Sequence, residues 1–310
     1  MKSIQAFAPA TVANVACGFD VLGFAVEQPG DSVTITLADE PGIIIESITG
    51  DEGKLPLEAS QNTVSLVISE YLKAIGEEQL GVKIALRKGM PLKSGLGSSA
   101  ASSVVGVYAL NELLGKPLDQ VDLLRFAMEG ERLACGSAHA DNVAPALMGG
   151  FVLVRSYNPL DIVQLPTPNK LHATIIHPHI EVKTKDARNI LRKQIELKDA
   201  VSQWGNLGGL ISGIYREDYE LIGRSLTDNI VEPIRSLLIP GFDLAKAEAL
   251  RAGALGCSIS GSGPSIFALS TDLAIAKKIG RKMSSVYNEL NIKSEVFISK
   301  VNSEGPKIMK

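Results

Sequence analysis

Cysteine is scarce, at three in 310 residues. Cys17, Cys135 and Cys257 lie far apart, are odd in number and form no CxxC pair, which excludes a disulfide framework and fits a reducing compartment. Each is expected to be a small buried hydrophobe. Aromatic residues make up only 5% of the chain, too few for the stacking platforms that hold single-stranded nucleic acid. Excess charge is also missing: 31 Lys+Arg against 34 Asp+Glu leave a net charge of -3. No basic surface for nucleic acid or for an anionic membrane follows from that balance. No window approaches the roughly 18 apolar residues of a membrane span. The first twenty residues break their apolar run at Gln5, Pro9, Asn14 and Asp20, unlike a signal peptide. The expectation is a cytoplasmic, soluble protein.

What is present is globular in kind, with 45% hydrophobic and 21% charged residues. At roughly 150 residues per domain the length suggests two domains. Glycine, 29 residues in all, is above the usual share of roughly 7% and is clustered. Strands are expected at 4–8, 33–37, 42–48, 82–86, 151–155 and 173–177, with a glycine-punctuated pair over 257–269 and a last strand at 294–301. Helical spacing marks 62–75, closed by Gly76, and the stretches 98–115, 120–134, 187–194, 198–226, 243–253 and 273–290. Pro159, Pro166 and Pro168 place a linker within 156–170, and so domains at 1–165 and 166–310. Strands and helices interleave without a strict βαβ rhythm. That is the pattern of an α+β protein built of two α/β sandwiches, not of a doubly wound sheet.

The most informative stretch is Pro91-Leu92-Lys93-Ser94-Gly95-Leu96-Gly97-Ser98-Ser99-Ala100-Ala101. Two glycines spaced by one residue let backbone N–H groups approach a ligand closely. Two serines then open a helix whose N-terminus offers free N–H groups and partial positive charge. The combination describes an anion cradle, most naturally for phosphate. A tight turn with a serine cap would need only one Gly and one Ser. A Walker A loop is excluded because no Lys follows the glycines. Gly95-x-Gly97-x-x-Ala100 formally fits a dinucleotide-binding turn, but Lys88–Lys93 separates strand from loop, and a second helix follows where a strand is required.

In the helix that follows, a wheel at about 100° per residue puts Arg125, Glu129 and Arg132 on a solvent face and Glu131 in the middle of the apolar arc. A buried carboxylate needs a compensating partner, either a salt bridge or a metal held together with phosphate oxygens.

The Pro91–Ala101 loop is similar to the second motif of the GHMP kinase superfamily, P-x-x-x-G-L-G-S-S-A. Ala8–Gly23 (APATVANVACGFDVLG) resembles the first motif in its homoserine kinase form, and Ser258–Ser265 (SISGSGPS) the third. The three matches are in order and span the chain. They imply a two-domain GHMP kinase fold, with an N-terminal ribosomal-protein-S5-like domain and a C-terminal ferredoxin-like sandwich. They also imply γ-phosphoryl transfer from ATP, with Mg²⁺, to a small alcohol. By this resemblance Pro91, Lys93, Ser94, Gly95, Leu96, Gly97, Ser98, Ser99, Ala100 and Ala101 bind the nucleotide, Ser99 and Glu131 hold Mg²⁺, and Asn62 contacts adenine.

The His139-Ala-Asp-Asn142-Val-Ala-Pro-Ala segment is closest to the homoserine kinases. The resemblance assigns Asn14, Asp20, His139, Asn142, Thr184, Arg188, Arg235 and Gly261 to the acceptor. Guanidinium groups suit its carboxylate, Asp20 its ammonium, and the Asn142 amide its hydroxyl. Asn142, Asp20, Ser99 and Glu131 are then the catalytic set, with Asp141 beside Asn142 not acting as base. The implied reaction is phosphorylation of L-homoserine in threonine biosynthesis, by a homodimer. Three other readings stay open: another GHMP kinase of mevalonate or shikimate type, a non-catalytic ligand sensor on the same fold, and a dinucleotide-binding protein. His177-Pro-His179 lacks a third ligand at suitable spacing for a metal.

Overall fold

The computed structural model describes residues 2–309 except Ser137 and Ala138, and only the backbone of Leu133, Ala134 and Cys135. The expected burial of Cys135, and the Ser137-Ala138 part of the acceptor segment, lie outside the described residues. The first sheet is built around a long strand. β1 (Ser3–Ala13) pairs antiparallel with β2 (Leu22–Ala38), which runs for 17 residues. β3 (Gly42–Thr49) leads to α1 (Thr63–Ile75) and β4 (Gly81–Arg87). β4 lies between β2 and β3, antiparallel to one and parallel to the other. Helices α2 (Ser98–Leu113), α3 (Gln120–Cys135) and α4 (Ala140–Met148) follow. β5 (Phe151–Tyr157) then joins the early part of β2.

The stretch expected as a linker is half strand. β6 (Leu160–Leu165) turns back on β5 as a hairpin. The prolines mislead because they flank the strand: Pro159 stands in the turn and Pro166 and Pro168 lie beyond it, where no ladder N–H is needed.

The chain enters its second sheet at β7 (His172–Pro178). Helices α5 (Thr184–Asn189), α6 (Leu197–Arg216), α7 (Tyr219–Ser225), α8 (Glu232–Arg235) and α9 (Phe242–Ala252) precede the hairpin β8 (Gly256–Ile259) and β9 (Ile266–Ser270). α10 (Leu273–Glu289) and β10 (Ser294–Lys300) complete it. The order is β10-β7-β9-β8, all antiparallel, the ferredoxin-like arrangement. The helix expected at 187–194 instead begins at Thr184 and ends at Asn189. From β10 the chain returns to the first sheet, where β11 (Lys307–Ile308) pairs with β1.

Period-two alternation divides the second sheet between two cores. Ala173 and Ile175 of β7, with Phe267 and Leu269 of β9, join the core of the first sheet. Ile176, Ile266 and Ala268 face α9 and α10 in a second core. Phe24 links both sheets, tilted on Phe151 at 4.9 Å and edge-on to Phe267 at 5.8 Å. Such pairs stabilise by about 0.5–1.5 kcal/mol beyond the area they bury. The Phe24 contacts therefore fix the two sheets as one body.

Two close helix contacts aim the site. α1 crosses α2 where Gly106 meets Val64, and α3 crosses α2 where Gly130 meets Ser103. A Cβ on Gly130 would lie 2.0 Å from Ser103 Oγ. The close crossing brings the neighbouring Glu131 against the first turn of α2. The 140–148 segment carries Pro145 inside a helix, which the sequence reading leaves without an element. Pro145 removes the N–H that would bond the Asp141 carbonyl. Gly23 of β2 packs directly over that carbonyl, with space for no side chain. Among the described residues no helix is long and apolar enough to cross a membrane.

Candidate active site

Three glycine-containing segments meet at the N-terminus of α2. Gly97 is the residue before the helix, left-handed at φ 65°, and places no side chain over the first N–H groups. A Cβ there would lie 2.2 Å from Thr11 Oγ1 and 2.8 Å from Asn142 Oδ1. At Gly95, φ 79°, a Cβ would strike the Ser260 and Gly263 carbonyls at 2.5 and 2.8 Å. Hydrogen bonds tie the segments together. Thr11 N–H donates to the Leu96 carbonyl at 3.1 Å, Gly261 N–H to that of Ala13 at 3.2 Å, and Ser265 N–H to that of Ser94 at 3.2 Å. Ser260 Oγ donates to the Gly95 carbonyl at 2.7 Å.

Within this loop the side chains divide by role. Leu96, Ala100 and Ala101 are fully buried and build the core beneath the loop, so only backbone can face a ligand there. The Ala101 N–H, expected to bind the nucleotide, is instead spent on the Gly97 carbonyl at 2.8 Å, closing the first turn of the helix. Lys93 points to the surface and pairs with Glu181 at 2.7 Å. The hydroxyls of Ser94 and Ser98 are buried with no hydrogen-bond partner. Buried unpaired hydroxyls beside free helix N–H groups are what an anion cradle requires. Ser99 Oγ donates to Glu131 Oε1, and Glu131 is 5% exposed. The apolar-face carboxylate thus meets the loop serine, and this pair of oxygens suits Mg²⁺, which takes carboxylate and hydroxyl oxygens together with phosphate oxygens.

The acceptor candidates are linked through the Gly261 carbonyl. It accepts from Asn14 Nδ2 at 2.8 Å and from Arg235 Nη1 at 3.0 Å. Asn14 Oδ1 also accepts the Asp20 N–H at 3.0 Å. The first motif is strained here: Asn14, Val15 and Ala16 are all left-handed, as is Asp20. Arg188 Nη2 grips both Asp20 oxygens, at 2.8 and 3.0 Å. Arg235 is buried, and its Nε reaches the Ala187 carbonyl at 3.0 Å. Burial lowers its guanidinium pKa to about 10. Thr184 Oγ1 lies 3.3 Å from Ser262 Oγ. Asn142 Oδ1 accepts from Thr11 Oγ1 at 2.7 Å, at the edge of Gly97. His139 precedes α4, half-buried and edge-on to Tyr157 at 6.5 Å, and burial lowers its pKa.

Asn62 stands apart. It caps α1, accepting from Val64 N–H at 3.1 Å and donating to the Pro56 carbonyl at 2.9 Å. Its amide is already engaged at both ends. α1 meets α2 at Gly106, about two turns along from Ser98.

Several residues at the site have no role in the sequence reading. Phe19 lies beneath both guanidinium groups, with Arg188 at 5.6 Å and Arg235 at 5.0 Å from its ring centre. Tyr157 donates to the Asp20 carbonyl at 3.0 Å. Thr11 braces Asn142, and Asp31 and Lys88 form a buried pair. Phe19 was within reach, because it sits inside the first motif. Asp31 was hidden, because Gln28-Pro-Gly-Asp31 reads as a turn, whereas β2 continues through it with a break in its register against β1. His177 is bonded to Ser265 Oγ at 3.2 Å and His179 pairs with Glu295 at 3.2 Å.

The family models "GHMP kinases N terminal domain" and "GHMP kinases C terminal" match residues 62–150 and 210–289. The homoserine kinase of Chlorobium phaeobacteroides (strain BS1) is 51% identical over 320 residues, covering 100% of both chains. The crystal structure of homoserine kinase from Cytophaga hutchinsonii ATCC 33406 is 64% identical with a TM-score of 0.97, covering 100% of this chain and 98% of that one. The chain belongs to the homoserine kinase family of GHMP kinases. It is an ATP-dependent kinase with the two-domain fold of that superfamily. An L. major mevalonate kinase structure in complex with R-mevalonate, 15% identical with a TM-score of 0.75 over 95% of each chain, shares the fold alone.

Two expectations follow for this homoserine kinase family member. Leucine at Arg235 strands the Ala187 carbonyl in the interior and takes one of two donors from the Gly261 carbonyl, which keeps Asn14. A buried polar group left unpaired costs about 1–3 kcal/mol. Arg188 is 41% exposed in its side chain, lies over Phe19 and, among the described residues, its guanidinium hydrogen-bonds Asp20 alone. Thermal unfolding should therefore show a clear drop in Tm for Arg235→Leu and almost none for Arg188→Leu; equal drops would contradict the geometry.

The second expectation concerns Asp141, whose Oδ1 is buried and unpartnered. Burial first, then the charges of Asp20 and Glu131, raise its carboxyl from 3.8 to about 7. A raised folded pKa gives stability that is whole below 3.8 and is lost as pH climbs through about 7. Asp141→Asn removes that loss. Its Tm should rise relative to the parent between about pH 4 and about pH 8. A difference that stays constant with pH would show that Asp141 does not titrate as described.

Proposed function

We propose that the chain transfers the γ-phosphoryl group of ATP to the hydroxyl of L-homoserine, giving O-phospho-L-homoserine and ADP. The observation that carries this reading is the meeting at Gly97 of the phosphate loop with Asn142, beside the Asp20, Arg188 and Arg235 charges. A neutral amide set next to a phosphate cradle suits a hydroxyl, and an Asp with two Arg suits an amino acid. Residues 1–165 would hold the nucleotide and 166–310 complete the acceptor pocket.

In the free site Asp20 and Arg188 bond each other. A zwitterionic acceptor offers its ammonium to Asp20 and its carboxylate to Arg188 and to Arg235 Nη2, which has no partner among the described residues. Asn14 and Thr184 line the same pocket, and His139, held neutral by burial, adds a hydrogen-bonding ring at its edge. The N–H groups from Ser94 to Ala100 and the free Ser94 and Ser98 hydroxyls receive the phosphates. Asn62 would lie on the adenine side. Ser99 and Glu131 would hold Mg²⁺, which when bound neutralises charge on the phosphate oxygens.

An amide cannot accept a proton, so Asn142 orients the hydroxyl without acting as a base. A loose, metaphosphate-like transition state requires little deprotonation before bond formation. Orientation alone contributes about 7–11 kcal/mol in well-placed reactants. Asp141 is buried beneath Gly23 and keeps no base role in this scheme.

Threonine biosynthesis is the setting this reaction implies. A cytoplasmic location is supported by Cys17 and Cys257, both buried and unpaired, with burial pushing the Cys17 thiol up to about 12. A homodimer is supported by the exposed stripe of Leu197, Val201 and Trp204 on α6, an apolar face that a second copy would cover.

Steady-state kinetics with ATP, Mg²⁺ and L-homoserine test the scheme. Ser99→Ala and Glu131→Gln should each lower kcat by about 100-fold, since catalysis rests on positioning and charge neutralisation, while homoserine KM changes only a few-fold. Near-parent kcat in Glu131→Gln at saturating Mg²⁺ would remove the metal assignment. Asp141→Asn should keep kcat within about tenfold of the parent; a fall of about 10³ with KM unchanged would make Asp141 the base.

A further inference from the structure

Beneath the phosphate loop lies a buried ion pair. Asp31, in the middle of β2, is fully buried, and the Lys88 side chain is 2% exposed. Lys88 Nζ bonds Asp31 Oδ2 directly. It also donates to the Ser98 carbonyl at 2.8 Å and to Ser102 Oγ at 2.6 Å. Asp31 Oδ2 accepts from Ser102 Oγ at 2.8 Å, and Oδ1 accepts from the Gly89 N–H at 3.0 Å. Every polar atom of the cluster is therefore directed to one end of the loop or the other. Gly89 is where the chain leaves β4 for the loop, and Ser98, with Ser102 one turn on, opens α2, where it leaves the loop.

We propose that the Asp31–Lys88 pair is a positioning element of the phosphoryl-transfer site, a buried clamp that joins both ends of the 89–97 loop. The inference rests on the reading of that loop as the phosphate cradle. A buried pair contributes little net stability once desolvation is counted, and apolar replacements often serve the fold as well. Its particular effect is geometric. Holding the Ser98 carbonyl fixes the peptide plane between Ser98 and Ser99. The Ser99 N–H then points at the phosphates, and its hydroxyl stays on Glu131. Holding Gly89 keeps the loop from drifting along β2. The pair acts through the loop and touches no substrate.

The double variant Asp31→Asn with Lys88→Met tests this. It is neutral, and the amide introduced at position 31 can still accept from Gly89 and donate to Ser102, so the joint lost to the loop is the bond to the Ser98 carbonyl. Binding of ADP and of adenosine is measured by calorimetry without acceptor, beside steady-state kinetics. In the parent, ADP must bind more tightly than adenosine; equal binding there overturns the phosphate-cradle reading itself, and this proposal with it. In the double variant the ADP Kd should rise by about tenfold or more, the factor of one charge-assisted hydrogen bond, with kcat falling at least as much. Adenosine Kd and homoserine KM should stay within about twofold, because neither ligand meets the clamped backbone. A folded double variant with parent-like ADP Kd and kcat overturns the proposal, as does an equal loss of ADP and adenosine binding. Should the double variant fail to fold, Ser102→Ala removes the hydroxyl joint alone. It should raise ADP Kd about threefold with adenosine unchanged, as a partial loosening of one joint in the cluster does. Parent-like ADP binding there overturns the proposal equally.

Discussion

The site depends on one steric constraint, the direct approach of backbone to backbone at Gly95. There the phosphate loop lies against the Ser260–Gly263 turn with no space for even a methyl group. Because side chains are excluded, the loops are held by main-chain and short side-chain bonds, from Ser260 to Gly95 and from Ser265 to Ser94. Ser94 and Gly95 belong to the segment after β4, and Ser260 and Ser265 to the β8–β9 turn. The junction therefore joins parts of the chain 165 residues apart. The two sheets must be fixed against each other for this to hold, and the shared core around Phe24, Phe151 and Phe267 fixes them.

From that junction the chemistry divides into two sides. On one, the start of α2 offers unpaired serine hydroxyls and free N–H groups, with Ser99 bonded to Glu131. On the other, Gly261 presents a single carbonyl that orders Asn14 and Arg235, while Asp20 and Arg188 neutralise each other. Asn142 lies between them, braced by Thr11 against Gly97. Short polar groups at the centre and full charges at the rim suit a reaction in which orientation matters more than proton transfer.

Much of this arrangement was legible in the sequence, for physical reasons. The phosphate loop shows because glycine spacing and serine position are dictated by local backbone geometry, and Glu131 shows because its helix has a clear polar face that it fails to join. The interleaving of elements gave the fold class. What was hidden depends on long-range packing. Asp31 sits in a Gln-Pro-Gly-Asp run that reads as a turn until β1 and β4 pair on either side of it. β6 was lost among prolines that flank it, and α4 contains a proline that packing against Gly23 tolerates. The pairing of Arg188 with Asp20, and the two carbonyls that occupy most of the Arg235 fork, follow only from the folded positions of α5 and α8.

The central claim is that an ATP-dependent kinase site is matched here to a small acceptor that is both an alcohol and a zwitterion. The direct measurement is ADP release from ATP and Mg²⁺ with L-homoserine, mevalonate and shikimate compared as acceptors. All three offer a hydroxyl and a carboxylate, but only homoserine carries an ammonium for Asp20. The account predicts kcat/KM for homoserine above the other two by about 10³ or more, the discrimination expected when a site's polar groups are left unpaired by the wrong substrate. Comparable or faster turnover of mevalonate or shikimate, or no acceptor-dependent ADP release at all, would contradict it.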